Sequence, residues 1–389
     1  MRRPFLAALI AAALATSGCG AVDTLVQRVS PVDELGTPTV TIAVLAPLTG
    51  GEARTGRSLV QAVEQAAADS GGVAGWDVVV APYDLATEDV EPVLDELSSD
   101  DTTVAVITGF SAQDVRAVVP ELDDIGLAVM SPADTDPRHV RGADPGAPLR
   151  PWSGYQTLAV ESAPEQTALA EHLVQVSRVT SAVVVSDGSD EADVRTVALV
   201  QSLEQRGVSQ ATPVTWTGSL EAESLGEALA ALGPGAALVV DADPGVASSL
   251  AAVRAEGTVL ALSTQPAQLG ESDAAALEGA LAPTPGEDPD RGEDQLGAAL
   301  EAGGRPSAVG PYGPAAYDAG RLFVDVFTRC LPDPESSSSP SRSACRAEAA
   351  GATWTGLTGP IQFDEYGARL GQLPGVVALR AGQWAAPGG

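Results

Sequence analysis

The 389-residue chain contains no lysine and no asparagine, and all 21 of its basic residues are arginine. A GC-rich genome is the simple explanation, since the codons of both missing residues are AT-rich. The absences still exclude chemistry. Without lysine there is no phosphate-loop signature, no Schiff-base enzyme and no Ser-x-x-Lys acylating site. Without asparagine there is no N-glycosylation acceptor. Histidine is scarce: His139 and His172 are the only two, and neither stands in a metal-ligand spacing. There is no CxxC pair, no Gly-x-Ser-x-Gly elbow and no Gly-x-Gly-x-x-Gly fingerprint after a strand. Enzyme readings therefore start low, and no cofactor or metal is expected.

Positive charge is also short. Acidic residues number 52 and the net charge is −31, so the surface repels phosphate and nucleic acid is not an expected partner. After the first residues no segment reaches ~18 uninterrupted apolar residues, the length a membrane-spanning helix needs. What is present is the composition of a globular chain, 44% apolar and 19% charged. The length suits two domains of ~100–200 residues each.

The first residues read as an export signal, assigned to 1–18. Arg2 and Arg3 precede an apolar run from Phe5 to Ala15, the length of a signal core and too short to span a bilayer. Thr16-Ser17-Gly18-Cys19 resembles a bacterial lipobox, in which Cys19 is lipidated and becomes the mature N-terminus. Residues 19–37 are then a tether from the membrane. Ordinary secretion with cleavage near Ala21 is the alternative. Three cysteines in an exported chain leave one over. Lipidation of Cys19 uses that one, and Cys330 and Cys345 remain to form a disulfide across the Pro/Ser-rich loop that starts at Pro332. A loop of that size contributes ~3 kcal/mol in the chain-entropy account.

From Val40 onward, Val-rich runs alternate with stretches of helical period. The strands are read at Val40–Leu45, Val78–Pro82, Val104–Thr108 and Leu127–Ser131, with helices at Arg57–Ala68, Glu88–Leu97 and Asp114–Leu122. Such alternation predicts right-handed crossovers and a parallel sheet covered on both faces. Arg138 to Gln156 breaks the pattern with prolines and glycines. It resumes at Ser181–Ser186, Glu191–Gln205, Ala236–Asp241, Pro244–Glu256 and Val259–Leu262. The fold class is therefore α/β, in two Rossmann-like lobes with parallel sheets. Gly286 to Gly304 reads as surface loop with a short helix. Tyr312–Cys330 reads as an amphipathic helix, and Phe363 to Gly367 as a tight turn.

Several segments together resemble the type I periplasmic solute-binding proteins, the branched-chain amino-acid-binding group. They are Thr41 through Gly50, Gly71-Gly72-Val73-Ala74-Gly75, Val106 through Gly109 with Ser111, Ser131-Pro132-Ala133-Asp134-Thr135, and Gly359 through Gly367, in family order. The resemblance spans about 38–384. It implies lobes joined by a three-crossing hinge around a ligand cleft: lobe 1 at 38–153 and 283–373, lobe 2 at 154–282 and 374–389.

In that family the first lobe holds an amino acid's carboxylate and ammonium with hydroxyls and with backbone N–H groups at strand and helix ends, where unpaired N–H groups favour an anion. The resemblance places Ser111, Ala112, Ser131, Ala133 and Thr135 there. A plain helix cap is the alternative for each. On lobe 2 the family's tyrosines fall on Glu191 and Ala242, and its acidic ammonium partner falls near Gln265 or Pro266. The lip instead carries Asp187, Asp190, Glu191, Asp241 and Asp243. These are either solvated acids favoured by helix dipoles or a lure for a cationic ligand. Trp152 and Tyr155 are candidates to cover the cleft, while Trp76 and Trp384 read as packing residues.

The resemblance thus implies a lipid-anchored extracytoplasmic protein that is not an enzyme. It would bind a small polar solute (amino acid, amide or amine-like), close by hinge motion and deliver the solute to an ABC permease. A sensory or binding-degenerate envelope lipoprotein of the same fold, acting through a protein partner, is the second reading. A hydrolase using Asp241 and Asp243 is the third, and it lacks a positioned partner group.

Overall fold

A computed structural model describes residues 37–50, 53–86, 89–109, 111–144, 146–216, 222–264, 269, 271–284, 289–306, 309–310 and 312–387. The signal segment, most of the tether with Cys19, and Gln265 with Pro266 lie outside the described residues.

The chain opens with β1 (Thr39–Ala46), α1 (Ala53–Asp69), β2 (Asp77–Asp84), α2 (Glu91–Ser99), β3 (Thr103–Ile107), α3 (Ala112–Asp124), β4 (Ala128–Ser131), α4 (Arg138–Arg141) and β5 (Tyr155–Thr157). The five strands form a parallel sheet in the order β2-β1-β3-β4-β5. Every residue of β1, β3 and β4 is buried. Runs dominated by Val, Ala and Ile follow from burial on both faces.

A second sheet is built from α5 (Ser162–Gln175), β6 (Ser181–Ser186), α6 (Asp190–Gln205), β7 (Gln210–Thr215), α7 (Ala222–Leu232), β8 (Ala236–Asp241), α8 (Pro244–Ala251), β9 (Val259–Leu262), α9 (Glu271–Ala276) and β10 (Leu281–Thr284). The chain then returns to pack on the first sheet as α10 (Pro289–Ala302), α11 (Gly313–Cys330) and α12 (Arg342–Ala350), followed by the hairpin β11 (Thr353–Gly356) and β12 (Gly359–Gln362). It crosses a last time to β13 (Gly375–Arg380) and β14 (Gln383–Ala385). The second sheet runs β14-β13-β10-β9-β8-β6-β7, parallel except where β13 and β14 pair antiparallel.

Two α/β lobes result, with chain crossings after Thr157, after Thr284 and before Gly375. Two of the expected boundaries move. The first shifts from 153/154 to beyond Thr157, because β5 pairs with β4 and completes the first sheet. The second shifts from 282/283 to beyond Thr284, because Pro283 and Thr284 pair with β13 in the second sheet. The stretch from Arg138 to Gln156 is not wholly irregular, since α4 and the start of β5 lie in it. Nor is 286–304 mainly surface loop: α10 fills most of it and buries Leu296 and Leu300 completely against α11 and the first sheet.

Lobe 1 is held by α1 and α11 against β1, with Phe323 and Phe327 fully buried among Leu59, Val63 and Ile42. Truncating either phenylalanine to alanine costs ~3–5 kcal/mol by the usual cavity penalty. Cys330, at the end of α11, is disulfide-bonded to Cys345 in α12, 15 residues on. Trp76 packs in the same core and donates from Nε1 to the Pro332 carbonyl at 3.1 Å, which ties the loop between these cysteines to the body. Trp384 packs in the lobe 2 core.

Candidate functional site

The loops leaving the carboxyl ends of strands in both sheets converge on a cleft of about 380 Å³. The loop after β3 brings Ser111, and the loop after β4 brings Ala133 through Asp136. From lobe 2, β6 delivers Asp187, β8 delivers Asp241 through Pro244, and β9 delivers Thr264. The first turns of α5 and α6 add Ser162, Glu165 and Glu191, and the second turn of α6 adds Arg195. Parallel strands with their crossover helices generate such a crevice at their carboxyl edge, where ligands of open α/β sheets sit.

On lobe 1 the loop after β4 is fixed by its own side chains. Ser131 is fully buried. Its hydroxyl donates to the Gly109 carbonyl at 2.7 Å and accepts from the N–H groups of Asp134 at 2.9 Å and Ala133 at 3.2 Å. Asp134 Oδ2 accepts from the Tyr155 hydroxyl at 2.6 Å and lies 3.0 Å from His139 Nδ1, while its Oδ1 accepts from the Asp136 N–H at 3.1 Å. Burial, and then the neighbouring Asp134 carboxylate, push the Tyr155 phenol well above its ordinary value, so it stays a donor. Burial works to raise the Asp136 carboxyl, but bonds from Arg138 outweigh it and hold the group below the usual aspartate value. Thr135 follows in this loop, its carbonyl accepting from the Ser162 N–H at 2.8 Å across the first crossing.

On lobe 2 the wall is charged. Arg195 makes a two-pronged pair with Asp241, Nε to Oδ2 at 2.9 Å and Nη2 to Oδ1 at 2.6 Å, and Asp241 is completely buried. Burial acts to lower the Arg195 guanidinium, yet the Asp241 bonds leave it above its ordinary value. Removing one partner of such a buried pair costs ~3–5 kcal/mol. At the rim, Arg116 of α3 reaches across to Glu191 of α6, Nη2 to Oε1 at 2.7 Å. Burial would raise the Glu191 carboxyl; hydrogen bonding and the Arg116 charge bring it below its ordinary value.

The expected residues divide. Thr135, Ala133, Ser111, Glu191 and Ala242 line the cleft together. Ser131 does not, because its hydroxyl is committed to three backbone groups and organises the loop from behind. The Ser111 hydroxyl accepts from the Asp114 N–H at 3.1 Å while Asp114 accepts from the Ser111 N–H, a reciprocal helix cap. Ala112 is the first residue of α3, and Gln265 is outside the described residues. Neither aromatic covers the cleft. Tyr155 is buried in β5 beneath it, and Trp152 packs edge-on to Tyr155 with ring centroids 5.9 Å apart. Ser162, Glu165, Asp136 and Arg195 also line the cleft, outside the motifs that carry the resemblance. Arg195 had a signal, since it stands four residues beyond Glu191 and so on the same helix face.

The sequence profile of the periplasmic binding protein family matches residues 39–383. No curated protein matches the chain by sequence. Among solved structures, a leucine-binding protein from Thermotoga maritima superposes with a TM-score of 0.73 at 18% identity, covering 90% of this chain and 98% of that one. A solute-binding protein of an ABC transporter from R. palustris, in complex with benzoate, has a TM-score of 0.70 at 16% identity, covering 90% and 96%. A branched-chain amino acid transporter substrate-binding protein from Streptococcus pneumoniae, in complex with isoleucine, has a TM-score of 0.70 at 15% identity, covering 90% and 98%. These likenesses establish the fold, and the profile match establishes that the chain belongs to the periplasmic binding protein family.

Proposed function

We propose that this member of the periplasmic binding protein family is the extracytoplasmic solute receptor of an ABC uptake system, holding a small polar solute between its lobes and anchored to the membrane through lipidated Cys19. The observation that carries this reading is the convergence of strand-end loops from both sheets on one cleft. A solute there touches both lobes at once, so its binding energy favours the closed arrangement by differential contact. In this reading Thr135 is a hydroxyl that meets it, supported by its position in the cleft lining and by a side chain with no partner among the described residues. The proteins of like fold carry leucine-binding or transporter names, and some were solved with isoleucine or benzoate, so the fold accepts ligands of differing chemistry and does not by itself select one.

A thermal-shift screen over amino acids, amines, amides and short peptides tests the proposal. A ligand at 100-fold over its dissociation constant adds ~2.7 kcal/mol to stability. Stabilisation by at least one small solute is expected, and a panel without a single stabiliser would count against a receptor role. That result would favour the second reading, a sensory lipoprotein of the same fold, whose support is the absence of an aromatic at Glu191 and Ala242.

A further inference from the structure

We propose that the solute of this cleft is a small organic cation bearing ammonium or guanidinium groups, not a zwitterion or a carboxylate; this rests on the solute-receptor reading and names its substrate class. Among the described residues seven carboxylates line the cleft and one arginine, Arg195, does. That arginine is held by Asp241, and the two others that reach cleft carboxylates are also engaged: Arg138 with Asp136 and Arg116 with Glu191. Asp187 and Asp243 stand in no ion pair among the described residues. Asp187 accepts from the Ser189 N–H at 2.8 Å, and Asp243 accepts from the N–H groups of Gly245 and Val246 at 2.8 and 3.1 Å. Asp134 is met by a phenol and a histidine ring, not by an arginine.

The same cleft is poorly equipped for an anion. A ligand carboxylate needs several convergent donors, from free N–H or O–H groups or an open guanidinium, and the Thr135 hydroxyl alone does not balance seven carboxylates. The N–H groups of Ala133 and Asp134 go to Ser131, that of Asp136 goes to Asp134, and the start of α3 already holds the Asp114 carboxylate. An independent observation points to a ligand with a polar group at this wall. Ser162 is 2% exposed, forms part of the cleft wall, and its Oγ has no partner among the described residues. A buried hydroxyl is a costly group to leave unpaired; its oxygen can accept from an ammonium or guanidinium N–H, and the charge of the wall is what favours the cation. The chain's net charge of −31 adds a long-range field of the same sign.

The test is isothermal titration calorimetry on the full chain with four probes: 1,4-diaminobutane, 4-guanidinobutylamine, leucine and benzoate. The cations are expected to bind more tightly than leucine or benzoate, with affinity falling about fivefold between ~50 mM and ~300 mM salt. Asp187→Asn with Asp243→Asn is expected to weaken the cations about tenfold, two partly solvated charges having been removed. Asparagine keeps the oxygen that accepts from the backbone at both sites, so the helix starts persist. Cation affinity unchanged in that double variant would overturn the inference. Binding of leucine or benzoate that Thr135→Ala weakens, with no binding of either cation, would overturn the charge argument and leave the receptor reading intact. No binding by any probe would overturn the cation inference, and the wider solute screen decides separately whether the receptor reading stands.

Discussion

Ser131→Ala tests how the ligand-facing loop is held. The hydroxyl makes three bonds inside the protein, to the Gly109 carbonyl and from the N–H groups of Ala133 and Asp134, at a fully buried position. A net ~1 kcal/mol per buried bond, with an added penalty for backbone groups left without water, gives about 2–4 kcal/mol of lost stability. The partner position is equally tight. Gly109 has φ +85°, and a Cβ there would lie 2.9 Å from Ser131 Oγ and 3.0 Å from a Val115 methyl. The expected result is a lower urea midpoint with an unchanged slope, together with weaker solute binding, because the loop that presents Thr135 is loosened. A loss below about 1 kcal/mol, with binding intact, would refute the claim that one hydroxyl organises this loop.

Other perturbations probe separate parts. Acidification should weaken the protein through Glu191 and Asp136, whose folded carboxyls lie below their ordinary values. Their contribution is present above about pH 4.5 and is lost as the pH falls through the folded values, and Glu191→Gln should flatten that acid limb of a urea-midpoint profile. Cys19→Ala should move the protein from the membrane fraction to the soluble fraction; unchanged fractionation would remove the lipid anchor. Mass spectrometry of the exported protein under non-reducing conditions should find Cys330 and Cys345 bonded, and their joint replacement by serine should cost ~3 kcal/mol.

The strands of lobe 2 that were legible are those buried on both faces. Ser181–Ser186, Ala236–Asp241 and Val259–Leu262 have the bounds the sequence pattern predicts, since uninterrupted apolar runs bounded by turns mark buried strands. The edge strand β7 was missed because Gln210–Thr215 is mostly exposed and contains Pro213, which an edge tolerates and a central strand does not. Helix α10 was obscured by glycine and acid around one apolar stripe, Leu296 and Leu300. At the site, motif order brought Ala133, Thr135, Glu191 and Ala242 to one cleft. It could not tell which hydroxyls were already committed. Ser111 and Ser131 both satisfy backbone groups nearby, a choice set by loop geometry and not by residue type. Thr135 differs only in where its carbonyl is tied: the bond from Ser162 N–H anchors its backbone and leaves the side chain toward the cleft.

The interlobe site itself is tested most directly by calorimetry on wild type and Thr135→Ala with whichever solute raises the melting temperature most. Affinity should fall by about 1–3 kcal/mol in the variant, the cost of a polar ligand group left unpaired. Stability without ligand should stay within about 0.5 kcal/mol, because this hydroxyl has no partner among the described residues. An affinity unchanged by Thr135→Ala would place the solute outside the cleft and contradict the site.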